Sequence, residues 1–232
     1  MVSSSFVVNP GLYSSIPYDP YKSFIPVSNM AASPNVFTVH PGIAARNMKE
    51  LLTVVAADPK KFSIGTPGVG TTPDLSAQLL KLTTKLDFVT VPFGGAGPAV
   101  ASVVSNQTPI GCTALPPTTQ HILGGRLRGI AVTGAKRSSA IADVPTMAEV
   151  GFKGQEADTL QGLLVPAGTP KPVIAKIAAT FREILQQPDV AARLDGLGYE
   201  VIGGTPEELR AFYQQEYGRF AELVKNAGIV PE

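Results

Sequence analysis

Cys112 is the only cysteine in 232 residues, so no intrachain disulfide can form. Histidine is nearly as scarce. His40 and His121 stand far apart with no Cys or carboxylate cluster beside either, which makes a poor metal site. Charge of either sign is also sparse: 19 Lys+Arg against 18 Asp+Glu leaves a formal net charge of +1. Such a balance offers no electrostatic footprint for nucleic acid. Long hydrophobic runs are missing too. The longest apolar stretches, such as Gly129 to Thr133 and Leu160 to Val165, fall far short of the ~20 residues of a membrane helix. The opening MVSSSFVVNPGLY has no basic stretch followed by an apolar one, so it does not read as a signal peptide.

What is present is a chain with 44% hydrophobic and 16% charged residues, too apolar for disorder and long enough for one large domain or two lobes. Short apolar runs alternate with helical spacings, which predicts an α/β fold. Val2 to Val8 reads as a strand that begins at once. Asn47 and Glu50 have capping-box spacing ahead of Leu51, Leu52, Val54 and Val55, so a helix starts there and stops at Asp58-Pro59. Phe62 to Gly65 reads as a strand, Asp74 to Lys85 as a helix, Asp87 to Val91 as the next strand and Pro98 to Ser105 as a helix. Pro109 to Thr113, Thr118 to Leu123 and Leu127 to Thr133 continue the alternation, and two successive crossovers predict a mostly parallel sheet. Leu160 to Val165 reads as a strand, Val173 to Gln187 and Val190 to Leu197 as helices, and Tyr199 to Ile202 as a strand. Thr205-Pro206-Glu207-Glu208 opens a last helix with a capping box and a proline at its first position.

The most informative segment is Gly65-Thr66-Pro67-Gly68-Val69-Gly70-Thr71-Thr72-Pro73-Asp74, set between a strand and a helix start. Its glycines allow successive N–H groups to turn toward one point, and the helix N-terminus adds partial positive charge there. A carboxylate or phosphate suits such a place. The segment has neither the Gly-Lys-Ser/Thr of a Walker loop nor the dinucleotide glycine spacing, and a tight turn without a ligand accounts for the same glycines. A second turn, Val91 to Pro98, carries Phe93, Gly94 and Gly95 and again leads from strand to helix. Two such turns in consecutive βα units lie at one carboxyl edge, where open α/β sheets bind ligands. Thr113 and Ala114 end the following strand; a ligand contact and a turn threonine bonding its own backbone are both open readings. No Gly-x-Ser-x-Gly elbow is present, Cys112 reads as a buried structural thiol, and His121 reads as a surface or satisfied histidine. Arg126, Arg128, Lys136 and Arg137 make either a small basic patch or a solvated face.

Several motifs in order resemble one family. They include Asn9-Pro10-Gly11-Leu12-Tyr13, Pro17-Tyr18-Asp19-Pro20, Phe24-Ile25-Pro26-Val27, the Gly65 to Leu75 loop and Val91-Pro92-Phe93. Gly125 to Thr133, Arg137-Ser138, Asp143 to Glu149, Gly162 to Pro170 and Gly203 to Glu208 extend the match over essentially the whole chain. The sequence resembles the TctC/Bug family of extracytoplasmic solute receptors, the binding proteins of tripartite tricarboxylate transporters. The resemblance implies a two-lobed, type II periplasmic-binding-protein fold of the Venus-flytrap kind. It also implies a periplasmic protein that is not an enzyme and needs no cofactor. Such a receptor captures a small mono- or dicarboxylate in an interlobe cleft and delivers it to membrane transporter subunits. On the family pattern, Thr66, Pro67, Gly68, Gly70, Thr71, Thr72 and Asp74 surround the ligand carboxylate. Phe93, Gly94 and Gly95 shape the wall, and Thr113 and Ala114 complete it. The lobes are expected to be residues 1–32 plus 135–232 for the first and 33–134 for the second.

The resemblance also implies departures. The family's signal peptide and first βα unit have no counterpart, so the chain reads as a receptor whose first lobe is incomplete, with an edge that invites pairing with another copy. The family's usual His in the loop is Asp74, its acidic residue after the central strand is Thr113, and its Trp before Gly-Leu-Leu is Leu160. A plain carboxylate is thereby favoured over an amino acid. The rival readings are an α/β enzyme acting on a phosphorylated or carboxylated small molecule, and a truncated remnant that binds nothing.

Overall fold

The structure is a computed structural model that describes residues 1–226, with side chains up to Gly218. In chain order its strands are β1 (Val2–Ser3), β2 (Phe24–Val39), β3 (Ser63–Thr66), β4 (Val89–Pro92), β5 (Ile110–Ala114), β6 (Arg128–Val132), β7 (Asp158–Pro166) and β8 (Glu200–Val201). Its helices are α1 (Ser5–Leu12), α2 (Met48–Ala57), α3 (Thr72–Thr84), α4 (Ala96–Val104), α5 (Pro116–Leu123), α6 (Lys171–Leu185), α7 (Pro188–Leu197) and α8 (Pro206–Asn226). The chain divides into two compact units. Unit 2 holds Ser33–Thr159 and Gly196–Tyr199; unit 1 holds Met1–Ala32, Leu160–Asp195 and the residues from Glu200 onward.

Unit 2 is built on the strand order β4-β3-β5-β2-β6. β3 runs parallel to both β4 and β5, whereas β2 is antiparallel to β5 and β6. The sheet is therefore mixed where a mostly parallel one is expected: the βα crossovers set the parallel pairs, and β2 enters from outside that succession. Phe37 on β2 packs with Ile64, Ile110, Ile130 and Met147. α2 covers this core with Met48, Leu51 and Val55, spaced to fall on one helical face. Each such side chain contributes roughly 1.5–3 kcal/mol by leaving water. α2 starts as its capping box predicts: Glu50 N–H donates to Asn47 Oδ1 at 2.9 Å, and the Glu50 carboxylate accepts from Arg46 N–H at 2.7 Å.

Residues 135–159 belong to unit 2, not to the first lobe as expected from the polar run at Lys136 to Ser139. The polar run is only surface. Beyond it, Ile141 and Val144 pack with Val36, Leu115 and Val132, and Met147 enters the main core. Val132 also bridges Thr146, and Ala157 N–H donates to Thr133 O at 3.0 Å. The second change of unit thus falls at Thr159/Leu160, and the first at Ala32/Ser33.

Unit 1 has β7 between β1 and the first half of β2, with β8 paired to β2 through Ala31↔Val201 and Ala32↔Glu200. The strand expected over Val2 to Val8 ends after Ser3, and Ser5–Leu12 is helical despite Pro10. The helix wins because it seats Phe6 in an aromatic cluster. Its ring stacks on Tyr18 at 5.6 Å and meets Phe24 at 5.8 Å and Tyr213 of α8 at 5.5 Å. Aromatic burial of this kind outweighs the modest strand preference of Val7 and Val8, which are buried in the same helix.

Outside the core, Arg137 holds Glu149 through Nε at 3.0 and 2.9 Å, and Thr146 N–H donates to the same carboxylate at 2.7 Å. The Arg137 bond first, then the Thr146 N–H, pull the Glu149 carboxyl down to about 2. A depressed acid stabilises the fold above its unfolded value and loses that contribution as pH falls toward the folded one. Glu149→Gln is therefore expected to flatten the acid side of the stability curve between about pH 4.3 and 2. Melting temperatures of the two proteins across that range check it; parallel curves would refute it.

Candidate ligand-binding site

β3, β4 and β5 are parallel neighbours, so their carboxyl ends lie on one edge of the unit 2 sheet. The register pairs Thr66 with Pro92 and Gly65 with Gly111, which brings Thr66, the turn at Phe93 and the end at Thr113 to that edge together. The three segments singled out from sequence are thus assembled by strand order alone.

The first turn is shaped by two glycines. Gly68 and Gly70 have φ of 157° and 70°, conformations that a side chain strains. The Thr71 hydroxyl and N–H both reach Gly68 O, at 2.8 and 3.2 Å, closing the turn. Thr71 then stands at the N-cap of α3, and Pro73 sits in the first turn, where its missing N–H costs nothing. Pro67 is half-buried at the start of the turn.

Asp74 folds back into this loop. Its Oδ1 accepts from the Thr66 hydroxyl at 2.9 Å and its Oδ2 from Gly70 N–H at 3.1 Å. Asp74 is 3% exposed and Thr66 fully buried. Burial pushes the carboxyl above its ordinary range, against the Gly70 and Thr66 bonds that pull it down. Behind it on β5, the Cys112 thiol is pushed well up by burial and then by the Asp74 charge, as expected of a structural thiol.

Thr72 is fixed by a chain of polar contacts that the sequence did not signal. Its hydroxyl meets that of Thr159 at 2.6 Å, Thr159 donates to Asn35 Oδ1 at 2.8 Å, and the Asn35 amide donates to Ser76 Oγ at 3.3 Å. Only Ser76, one turn after Thr72, had a spacing that marks it; Thr159 lies 87 residues away.

In the second turn Phe93 N–H donates to Thr66 O at 2.8 Å, tying the two turns together. A Cβ built at Gly65 would lie 3.3 Å from the Phe93 ring and 2.8 Å from Thr108 Oγ1, so glycine lets the turns approach. Gly95, at φ 141°, is the N-cap of α4, and open space surrounds the Cβ positions of Gly94 and Gly95. Thr113 is buried and shares a hydrogen with the Thr118 hydroxyl at 2.7 Å; Ala114 is half-buried beside it. Thr113 is thus engaged within unit 2.

The geometry refines what the edge can do chemically. The hydroxyls of Thr66, Thr71, Thr72 and Thr113 and the N–H of Gly70 all have partners inside unit 2. What the loop offers an anion is its glycine backbone and the first turn of α3, whose N–H groups have no intrahelical acceptor. Elsewhere, Arg128 donates to the carbonyls of Ile43 and Ala45 at 3.2 and 2.8 Å, and Arg137 pairs with Glu149, so two of the four cations of the basic run serve the fold. Among the described residues no group of three His, Cys, Asp or Glu side chains is placed to hold a metal. No described helix is long and apolar enough to cross a membrane.

Solved structures place this architecture among periplasmic binding proteins. The periplasmic binding protein BugD is 32% identical and superposes with a TM-score of 0.95, covering 99% of this chain and 78% of its own. An R. palustris protein solved with adipate is 27% identical at a TM-score of 0.95, covering 100% and 78%. MatC from Rhodopseudomonas palustris, with bound malate, is 28% identical at 0.86, covering 94% and 75%. Among curated sequences, a UPF0065 protein of Pseudomonas sp. (strain P51) is 31% identical over 96% of this chain and 66% of that protein. The family profile described as Tripartite tricarboxylate transporter family receptor (TctC) matches residues 1–229, and the chain belongs to that family. It spans 66%, 69%, 64% and 71% of the lengths of four curated relatives it matches.

Proposed function

We propose that this chain is a periplasmic solute receptor for a small mono- or dicarboxylate, serving a transporter of the tripartite tricarboxylate type. One observation carries the reading: three adjacent parallel strand ends converge on a glycine turn at the start of α3, in a chain of this family. The adipate and malate of the two R. palustris structures support a dicarboxylate as solute. The carboxylate would meet the turn from Gly68 to Thr72, with Phe93, Gly94 and Gly95 as wall and Thr113 and Ala114 beside them. Capture in a cleft between lobes and delivery to membrane subunits belong to the same proposal. So does pairing of copies, since β1 meets β7 over only two residues.

As a rival general base Asp74 is badly aimed, since both its oxygens are bonded back into the loop, to Thr66 and Gly70, and a base must point at the atom it deprotonates.

Thermal unfolding against a panel of small carboxylates tests the reading, with light scattering in parallel to count copies. A ligand at ~100 times its dissociation constant adds about 2.7 kcal/mol to the folded state. Thr71→Val, which removes the hydroxyl bond that closes the turn, is expected to weaken binding about tenfold, one bond's worth of ~1.4 kcal/mol. A well-folded chain that shifts with no carboxylate, or a ligand recovered chemically changed, would refute the receptor reading.

A further inference from the structure

The loop that is read as the solute's carboxylate site already contains a carboxylate. Asp74 sits in the first turn of α3, 3% exposed, with one oxygen on the Thr66 hydroxyl at 2.9 Å and the other on Gly70 N–H at 3.1 Å. These are the kinds of donors a glycine loop at a helix start offers an incoming anion, and here the protein's own side chain takes them. A solute carboxylate bound by the backbone of Gly68 to Thr72 would share with Asp74 both the short loop and the positive end of α3. Two carboxylates sharing one site do not both stay ionised, and one of them holds a proton.

Asp74 is the group placed to hold it. It is already buried, and burial has pushed its carboxyl above the ordinary range. The Gly70 and Thr66 bonds oppose the burial, and on β5 the Asp74 charge reaches Cys112, whose own burial keeps the thiol protonated. From β3 it faces Thr66 and from the turn Gly70, neither of which carries charge. The two groups that hold its oxygens thus supply hydrogen bonds but no full positive charge to offset a second negative one.

We infer that Asp74 is a second carboxylate within the solute's own binding loop, and that capture of a carboxylate solute takes up one proton at Asp74. The inference rests on the receptor reading above. Asp74 is on this account a specificity-determining residue. It disfavours a fully ionised loop and sets a pH window for capture, tighter on the acid side and weaker on the alkaline side. The proton is drawn from solvent on binding and returned on release, so no other reactant is required. Protonated Asp74 can still accept from Gly70 N–H through one oxygen, while its O–H donates to Thr66 Oγ1, whose hydroxyl is free to rotate.

Calorimetric titration of the whole chain with adipate, in buffers of different ionisation enthalpy between about pH 5 and 8, counts protons exchanged on binding. Asp74→Asn, which keeps an acceptor and a donor in the loop but no titrating group, is measured beside it. The difference between the two proteins cancels the ligand's own protonation. The unsubstituted chain is expected to take up close to one more proton than Asp74→Asn, and its dissociation constant to rise by up to about tenfold per pH unit relative to that variant. Equal proton counts in the two proteins would overturn the inference and leave the receptor reading standing. Absence of adipate binding in both, across the range and for the other carboxylates of the panel, would overturn the receptor reading and this inference with it. Should Asp74→Asn not fold, carbon-detected NMR of the Asp74 carboxyl in the unsubstituted chain decides. Its titration must move up when adipate is added, and an unmoved titration refutes the inference.

Discussion

Phe37→Ala is expected to remove about 3–5 kcal/mol from the stability of the chain, the cost of truncating a fully buried aromatic side chain and leaving a cavity. Phe37 is fully buried, and its strand is paired on both sides, to Cys112 of β5 and to Ala131 of β6. Its ring packs in a cluster that holds residues from β2, β3, β5, β6, α2 and α3 together, so the walls of the cavity are fixed by two ladders and do not collapse into it. Since whole domains are held by roughly 5–15 kcal/mol, the variant should unfold at markedly lower urea. Phe37→Leu, which keeps most of the volume, should lose far less, on the order of 1.5 kcal/mol. Urea midpoints of the three proteins decide the matter. Equal losses for the two variants would mean that the site relaxes freely and that the core is not organised around this ring.

The second large effect is expected at Thr66→Val. Valine fills the space of threonine but has no hydroxyl, so Asp74 Oδ1 is left buried without its donor. Hydrogen bonds to charged groups contribute about 1.5–3 kcal/mol, and the loss should fall in that range near neutral pH. Repeating the substitution in an Asp74→Asn background separates the bond from the packing, because the charge that the hydroxyl serves is then gone. The coupling between the two positions should exceed ~1 kcal/mol; a value below about 0.5 would show that Thr66 and Asp74 do not hold one another.

What could be read from sequence followed from how local each signal is. The capping boxes at Asn47 and Thr205 are contained in four residues, and the helices they open begin where the spacing puts them. The βα succession from β3 to β6 was equally legible, because each step is a short apolar run followed by a helical period. β2 was not. It carries Pro26 and Pro34, residues that argue against a strand interior, and its 16 residues far exceed a usual strand. Pro34 is tolerated because it falls where β2 passes from one unit to the other, between Ala31–Ala32, paired to β8, and Asn35–Val39, paired to β5. Leu12 and Val8 likewise gave no hint that they pack as a helix, since the aromatic partners of Phe6 lie at Tyr18, Phe24 and Tyr213, two of them nearby and one about two hundred residues on.

The candidate site divides in the same way. Glycines in a strand-to-helix turn single out the loop from composition alone, and Thr66 to Asp74 do lie together with Phe93 and Thr113 at one sheet edge. From sequence Asp74 was only a negative charge near a proposed carboxylate. Its direction, inward to Thr66 and Gly70, is set by burial against β5 and by the turn's glycine dihedrals, which no residue spacing encodes. The link from Thr72 to Thr159 and Asn35 joins three distant segments and was beyond any local reading.

The path of β2 has a further consequence for the order in which the chain can fold as it is made. Its second half waits for β5 and β6, which pair with Val36 and Phe37 from about seventy-five and ninety-five residues downstream. All but four residues of unit 2 then lie in one uninterrupted stretch, Ser33 to Thr159, and can close during synthesis once that stretch has left the ribosome. Unit 1 has no such option. Its residues before Ser33, with the local cluster of Phe6, Tyr18 and Phe24, find their remaining partners only when Leu160 to Pro166 and then α8 emerge. The aromatic surface around Phe6 is thus completed only by Tyr213, about two hundred residues further along, so unit 1 closes after unit 2.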